Sequence, residues 1–146
     1  MLVSFGGLGY DLDPQLLQLW PDHVFVSPDP RLATAANCRL LPAGVRPLEV
    51  FGHCARLITK PGYSFFCEAL SAGVGVHLVH REGFAEAPVL EAALLRHGWH
   101  RLLSQEQARQ GDWQLEQPLL PPTGEPLASD GAVQAAEALA AFVAGR

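Results

Sequence analysis

The residues best placed to do chemistry lie in the segment ITKPGYSFFCEAL, Ile58 to Leu70, where Lys60 precedes a turn at Gly62 and is followed by Ser64 and Glu68. A glycine turn between a strand and a helix lets backbone N–H groups approach an anion, and the helix N-terminus adds about half a positive charge. Phosphate is the natural guest, with Lys60 as added charge and Ser64 as a hydroxyl donor. Glu68, on the ligand side of the helix, is of the type that accepts both hydroxyls of a ribose in dinucleotide sites. A second glycine turn, Gly6 to Gly9, follows the strand-like Leu2 to Phe5 and is another place where backbone could meet a phosphate.

Each feature also has a plainer reading. Pro61-Gly62 is a tight turn in its own right, and FGGLG matches neither the dinucleotide fingerprint nor the Walker motif. Glu68 could be a solvated helix residue. His53 and Cys54 adjoin in sequence and so do not face each other on a helix, which makes them packing residues before a reactive pair. Glu82 and Glu86 could serve as an acid and a base, but a charged loop leading into a helix accounts for both. Cys38, Cys54 and Cys67 fit no CxxC spacing, so neither a disulfide framework nor a structural zinc site is expected. The six histidines are scattered, and none shares a face with a carboxylate or thiolate in a ligand pattern. No metal and no resident cofactor are expected.

The elements that must position these residues alternate in type. Leu2 to Phe5, His23 to Ser27, Arg39 to Pro42, Arg56 to Lys60, Val74 to His80 and His100 to Leu103 read as strands. Between them fall a helix from Asp13 and Pro14 to Pro21, a short Asp29-Pro30 segment, a helix-like patch from Leu48 to Ala55 broken by Gly52, and a helix from Tyr63 to Ala72 stopped by Gly73. The helix ending at Gly98 carries Val89, Leu90, Ala93, Leu94 and His97 on one face. Ser104 caps a short helix, four prolines make Gln117 to Pro126 a surface loop, and an alanine-rich helix spans Asp130 to Ala144. Its small residues suit close packing on the sheet or on another domain. This order predicts an α/β fold with a mostly parallel sheet covered on both faces, and ligands bind such sheets at the carboxyl ends of the strands. Both glycine turns should then share one edge.

A chain of 146 residues suits one domain, residues 1–146, and 49% hydrophobic against 17% charged residues is far from a disordered composition. The net charge of −5 lacks the basic stripe that a phosphate backbone demands, so nucleic acid is not expected as a partner. No apolar run reaches the roughly 20 residues of a bilayer span, and the first residues lack the basic flank of a signal peptide, so a cytoplasmic protein without an integral membrane segment is expected.

The segment ITKPGYSFFCEALSAGVGVHLVHREGFAEAPVLEAALLRHG, Ile58 to Gly98, resembles the signature region of the carboxyl-terminal domain of two-domain GT-B glycosyltransferases of the family 28 type. That group includes MurG-like lipid-linked GlcNAc transferases and galactolipid synthases, which carry a turn such as KPGYGTVSEAL. The opening VSFGG is similar to the start of the same domain, so the likeness runs from Leu2 to about Trp113. It implies a Rossmann-like three-layer sandwich corresponding to the C-terminal half of a GT-B enzyme, and a nucleoside-diphosphate sugar, commonly a UDP-sugar, as donor substrate. Gly62, Tyr63 and Ser64 match the turn that faces the diphosphate, Glu68 the glutamate that holds the ribose, and Gly6 and Gly7 the glycine loop after the first strand. Val45 to Leu48 correspond to the region that reads the base, and Glu86 falls in the loop that contacts the sugar.

Departures from the pattern bear on function. Ser64-Phe65-Phe66-Cys67 replaces hydroxyl donors with aromatic bulk, and Ala87 and Pro88 replace the glutamine pair that contacts the sugar. In GT-B enzymes an amino-terminal domain supplies the acceptor site and usually the catalytic base. This sequence is therefore expected to hold a donor and to transfer a hexosyl group only with such a domain or a separate acceptor-binding chain. The competing expectation is a degenerate glycosyltransferase-like domain serving as a non-catalytic interaction module, with Phe65 or Phe66 filling the site.

Overall fold

A computed structural model of the chain describes residues 1–6, 11–128 and 130–145. Six strands form one all-parallel sheet: β1 (Leu2–Val3), β2 (Phe25–Ser27), β3 (Cys38–Leu40), β4 (Arg56–Thr59), β5 (Gly75–Val79) and β6 (His100–Leu103). Their spatial order is β3-β2-β1-β4-β5-β6, so the chain winds outward from β1 in one direction and then crosses back to start again at β4. This is the doubly wound, Rossmann-like order, and its switch point lies between β1 and β4.

Buried on both faces, the strands read as apolar runs whose successive side chains part to opposite sides. Val3, Ile58, Val79 and Leu103 enter one core with Phe25, Leu17, Leu32, Ala108 and Trp113. Leu2, Leu57, Val76 and Leu78 enter the other with Phe51, Phe66, Ala69, Leu70, Leu90 and Leu94. The first core is roofed by 3₁₀ helices Pro14–Leu19 and Leu32–Thr34 and by the short helix Gln105–Gln110. The second is roofed by 3₁₀ helix Pro47–His53, by α1 (Tyr63–Ser71) and by α2 (Ala87–His97). The three-layer α/β architecture expected from the alternation of elements is present.

Some local expectations are corrected. The segment after β1 and the Leu48 to Ala55 patch form 3₁₀ rather than α-helices, at Pro14–Leu19 and Pro47–His53. Both are short and proline-led, and Gly52 weakens the second, so neither gains the length at which an α-helix becomes favourable. The third strand is Cys38–Leu40, one residue earlier than Arg39, because Cys38 aligns with Phe25 and buries its side chain. Helix α3 (Gln105–Gln110) opens with the full capping box expected at Ser104, its hydroxyl accepting from Gln107 N while the Gln107 side chain accepts from Ser104 N.

The largest departure is α4 (Gly131–Val143). It buries no residue, whereas packing on the sheet was one of its expected roles. Both sheet faces are already covered by other elements, which leaves it no apolar layer to join.

Candidate functional site

The switch point holds a cleft of about 260 Å³ lined by Phe5, Gly6, Thr59, Lys60, Pro61, Gly62, Tyr63, Ser64, Phe65 and Arg81. It arises because β1 and β4 are neighbours whose following segments leave in opposite directions, so their tips part. Gly6 turns the chain out of β1 with φ +68°, a left-handed conformation that favours glycine. Gly62, at the N-cap of α1, is extended at φ −166°, and a Cβ there would meet nothing within 4 Å. Neither its backbone nor its packing demands glycine. α1 starts here, and its N-cap, Gly62, makes no side-chain cap bond to the N–H groups of the first turn.

Two cations border this cleft. Arg81, just beyond the carboxyl end of β5, lies with its guanidinium 4.0 Å above the Phe84 ring, which fixes its direction. Lys60 is half-buried, and burial, reinforced by the Arg81 charge, pushes its ammonium pKa down. A bound anion would relieve that mutual repulsion. Beside it, the loop after β5 is tied to α2 by His80, whose Nδ1 lies 2.7 Å from Glu91 Oε1.

Around the same Gly6 tip, a second cleft of about 410 Å³ opens toward β2, lined by Ser4, Phe5, Gly6, Ser27, Asp29 and Pro47 among others. Asp29 is held there by Arg31, whose Nη2 donates to Oδ2 at 2.7 Å, and this hydrogen-bonded partner keeps its carboxyl pKa lowered. Pro47 brings the Val45 to Leu48 segment to this cleft, while Val45 and Leu48 themselves pack against the core.

Of the residues singled out in sequence, Gly6, Lys60, Gly62, Tyr63 and Ser64 line the switch-point cleft, so Gly6 and Gly62 share one edge of the sheet. Gly7 lies outside the described residues. Tyr63 also meets Glu86, Val89 and Leu90 around a shallow pocket of about 290 Å³, so the residue matched to the sugar contact adjoins the main cleft. Glu68 lines none of these clefts. It is exposed, on the side of α1 opposite buried Phe66, about 200° around the helix.

The aromatic pair divides. Phe66 is fully buried in the core, and Phe65 is half-buried in the cleft wall, its ring 5.3 Å from that of Phe51. Sequence reasoning missed Arg81 and Asp29. The signal for each was its place, immediately after an apolar strand on the ligand edge. Among the described residues no group of three or more His, Cys, Asp or Glu could hold a metal ion.

The fold and site thus define a Rossmann-like α/β domain with an electropositive switch-point cleft. Compared with family models, curated proteins and solved structures, the chain matches none. No helix among the described residues is long and apolar enough to cross a membrane.

Proposed function

We propose that this chain is the donor-binding domain of a glycosyltransferase, holding a nucleotide sugar of the uridine type. The observation that carries the reading is the convergence of Gly6, Gly62, Ser64, Lys60 and Arg81 on the switch-point cleft. A diphosphate fits that set: the first-turn N–H groups of α1 and two cations face it, and a glycine at Gly62, which the fold itself does not require, lets its oxygens come close. When the bond from the sugar's anomeric carbon to the diphosphate breaks, the electron pair stays with the diphosphate. Lys60, Arg81 and the α1 N-terminus stabilise the charge that develops there. Tyr63 and Glu86 border the place of the sugar. The acceptor hydroxyl comes from another domain or chain, and the sugar's identity stays open. A cytoplasmic location goes with this reading.

The competing reading, a non-catalytic interaction module, needs an aromatic plug. Phe66 belongs to the core and Phe65 leans on Phe51, which leaves the cleft open and favours ligand binding. Calorimetry with UDP and UDP-hexoses on wild type, Arg81→Ala and Glu68→Ala tests the proposal. Saturable binding weakened by both substitutions is expected. A folded protein that binds neither nucleotide at millimolar concentration would sink the donor reading and leave the interaction module.

A further inference from the structure

We propose that the cleft between the tips of β1 and β2 is a second binding site, one for an uncharged, hydroxylated ring of the sugar type. At about 410 Å³ it falls within the roughly 300 to 1,000 Å³ of small-ligand clefts, and it lies on the carboxyl edge of the sheet, where this fold binds its ligands. Its chemistry differs from that of the switch-point cleft. No Lys, Arg or His lines it among the described residues, and the charge on its wall is the Asp29 carboxylate. Arg31, which holds Asp29, is divided between Asp29 and Asp11. An anion is therefore disfavoured here. Phe5, Pro28, Pro30 and Pro47 supply apolar walls on which the C–H faces of a ring can rest.

Two polar side chains give the site its preference. Ser4 is 5% exposed, and its hydroxyl makes no hydrogen bond among the described residues, although its N donates to Ile58 O. The orphan polar atoms sealed inside the described residues are His23 Nδ1, Asn37 Oδ1 and His77 Nδ1, so the Ser4 hydroxyl opens instead on the cleft it lines. A nearly buried hydroxyl is disfavoured until a ligand or water pairs with it. Asp29 is already positioned: its N donates to Ser27 Oγ at 3.1 Å, and Arg31 N, Nε and Nη2 donate to its carboxylate at 2.9, 3.1 and 2.7 Å. Those three nitrogens leave one of a carboxylate's about four acceptor positions, and 29% of the side chain stays exposed. One ring hydroxyl donates to that position, and a second pairs with Ser4.

Phe5 and Gly6 line both clefts, so a ring here and a diphosphate beside Lys60 and Arg81 sit on either side of the β1 tip. The ring is either a separate saccharide or the hexose of the bound donor. Only the second source rests on the donor reading.

Saturation-transfer NMR with the methyl glycosides of glucose, galactose, mannose and N-acetylglucosamine, without nucleotide, tests the site on wild type, Ser4→Ala and Asp29→Asn. At least one glycoside is expected to bind wild type, about threefold to tenfold more weakly to Ser4→Ala, and at least tenfold more weakly to Asp29→Asn. Ser4→Ala should melt no lower than wild type, because it removes a hydroxyl that has no partner, so its weaker binding is not a loss of fold. Calorimetry identifies the source. A glycoside that still binds with UDP saturating is a separate saccharide. A UDP-hexose that displaces the glycoside, and whose advantage over UDP disappears in Ser4→Ala, brings the donor's own hexose here. A protein that binds a glycoside but no UDP keeps this site and loses the donor reading. The proposal is overturned if no glycoside binds at tens of millimolar and UDP-hexoses gain nothing over UDP that Ser4→Ala removes, or if both variants bind as wild type does.

Discussion

His77 makes the domain sensitive to mild acid. It sits mid-strand in β5 with no exposed surface, its Nε2 3.2 Å from Nη1 of Arg56. A guanidinium only donates, so Nε2 must be the acceptor and the ring neutral, with its proton on Nδ1. Burial pushes the His77 pKa down from 6.5 to about 4, helped by the positive charges of Arg56 and Arg101 and opposed by the Trp113 backbone. Nδ1 makes no hydrogen bond of good geometry, so the charged ring has little to gain there. A folded pKa below the unfolded one means that the unfolded chain binds the proton first. The stability contribution is complete above pH 6.5 and is lost as pH falls toward 4.

The size of that loss follows from the shift: 1.36 kcal/mol per pKa unit gives about 3 kcal/mol by pH 4. Urea unfolding of wild type and His77→Leu from pH 7 to pH 4 measures it. The lowered carboxyl pKa values of Asp29 and Glu49 act on both proteins and cancel in the difference. Arg56 keeps the carbonyls of Leu115 and Gln117 at 3.0 and 3.1 Å, so the substitution leaves it hydrogen-bonded. The gap between the two stability curves should change by about 3 kcal/mol across this window. Parallel curves would refute the reasoning and mean that the ring finds a partner for its charge.

Three further outcomes are expected. Ser104→Ala removes the reciprocal cap of α3 and should cost about 1 kcal/mol in urea unfolding, with Ser104→Asp retaining most of it. Gly111→Ala forces a side chain into φ +75° and places a Cβ 2.6 Å from Leu19 Cδ1, so a loss of about 1 to 2 kcal/mol in thermal unfolding is expected. Arg81→Ala should weaken UDP binding about tenfold or more and flatten its salt dependence in calorimetry, while leaving the melting temperature nearly unchanged.

Strand positions were legible in sequence because runs such as Leu57-Ile58 and Leu78-Val79 must bury both faces, and glycine and proline mark where they stop. Strand order was not. The return crossover from β3 to β4 is made by a seven-residue 3₁₀ helix, and nothing in Pro47 to His53 says on which side of β1 the chain comes back. The fate of α4 was hidden for a related reason: an alanine-rich helix fits against any apolar layer, and composition does not reveal whether the domain has one left over. The site divided in the same way. Turn glycines announce themselves, whereas Arg81 and Asp29 act only through the juxtaposition of strand tips.

Arg81 lines the switch-point cleft and Glu68 does not, and that separation constrains any ligand that uses both. Arg81 borders the cleft between the tips of β1 and β4, while Glu68 is exposed about one and a half turns into the helix. A diphosphate seated by Arg81 and the α1 N-terminus therefore leaves the ribose no place within the sheet crevice if Glu68 is to hold it. The nucleoside would instead run over the first turns of α1, past Tyr63 and Ser64, with its hydroxyls on the outer face. UDP and 2′-deoxy-UDP separate the two contacts. Arg81→Ala should weaken both nucleotides equally, because both carry the diphosphate. Glu68→Ala should weaken UDP more than 2′-deoxy-UDP, which keeps only one of the two hydroxyls, by about tenfold or more for one lost charged hydrogen bond. Equal losses for the two nucleotides on Glu68→Ala would show that the helix face is not where the ribose sits.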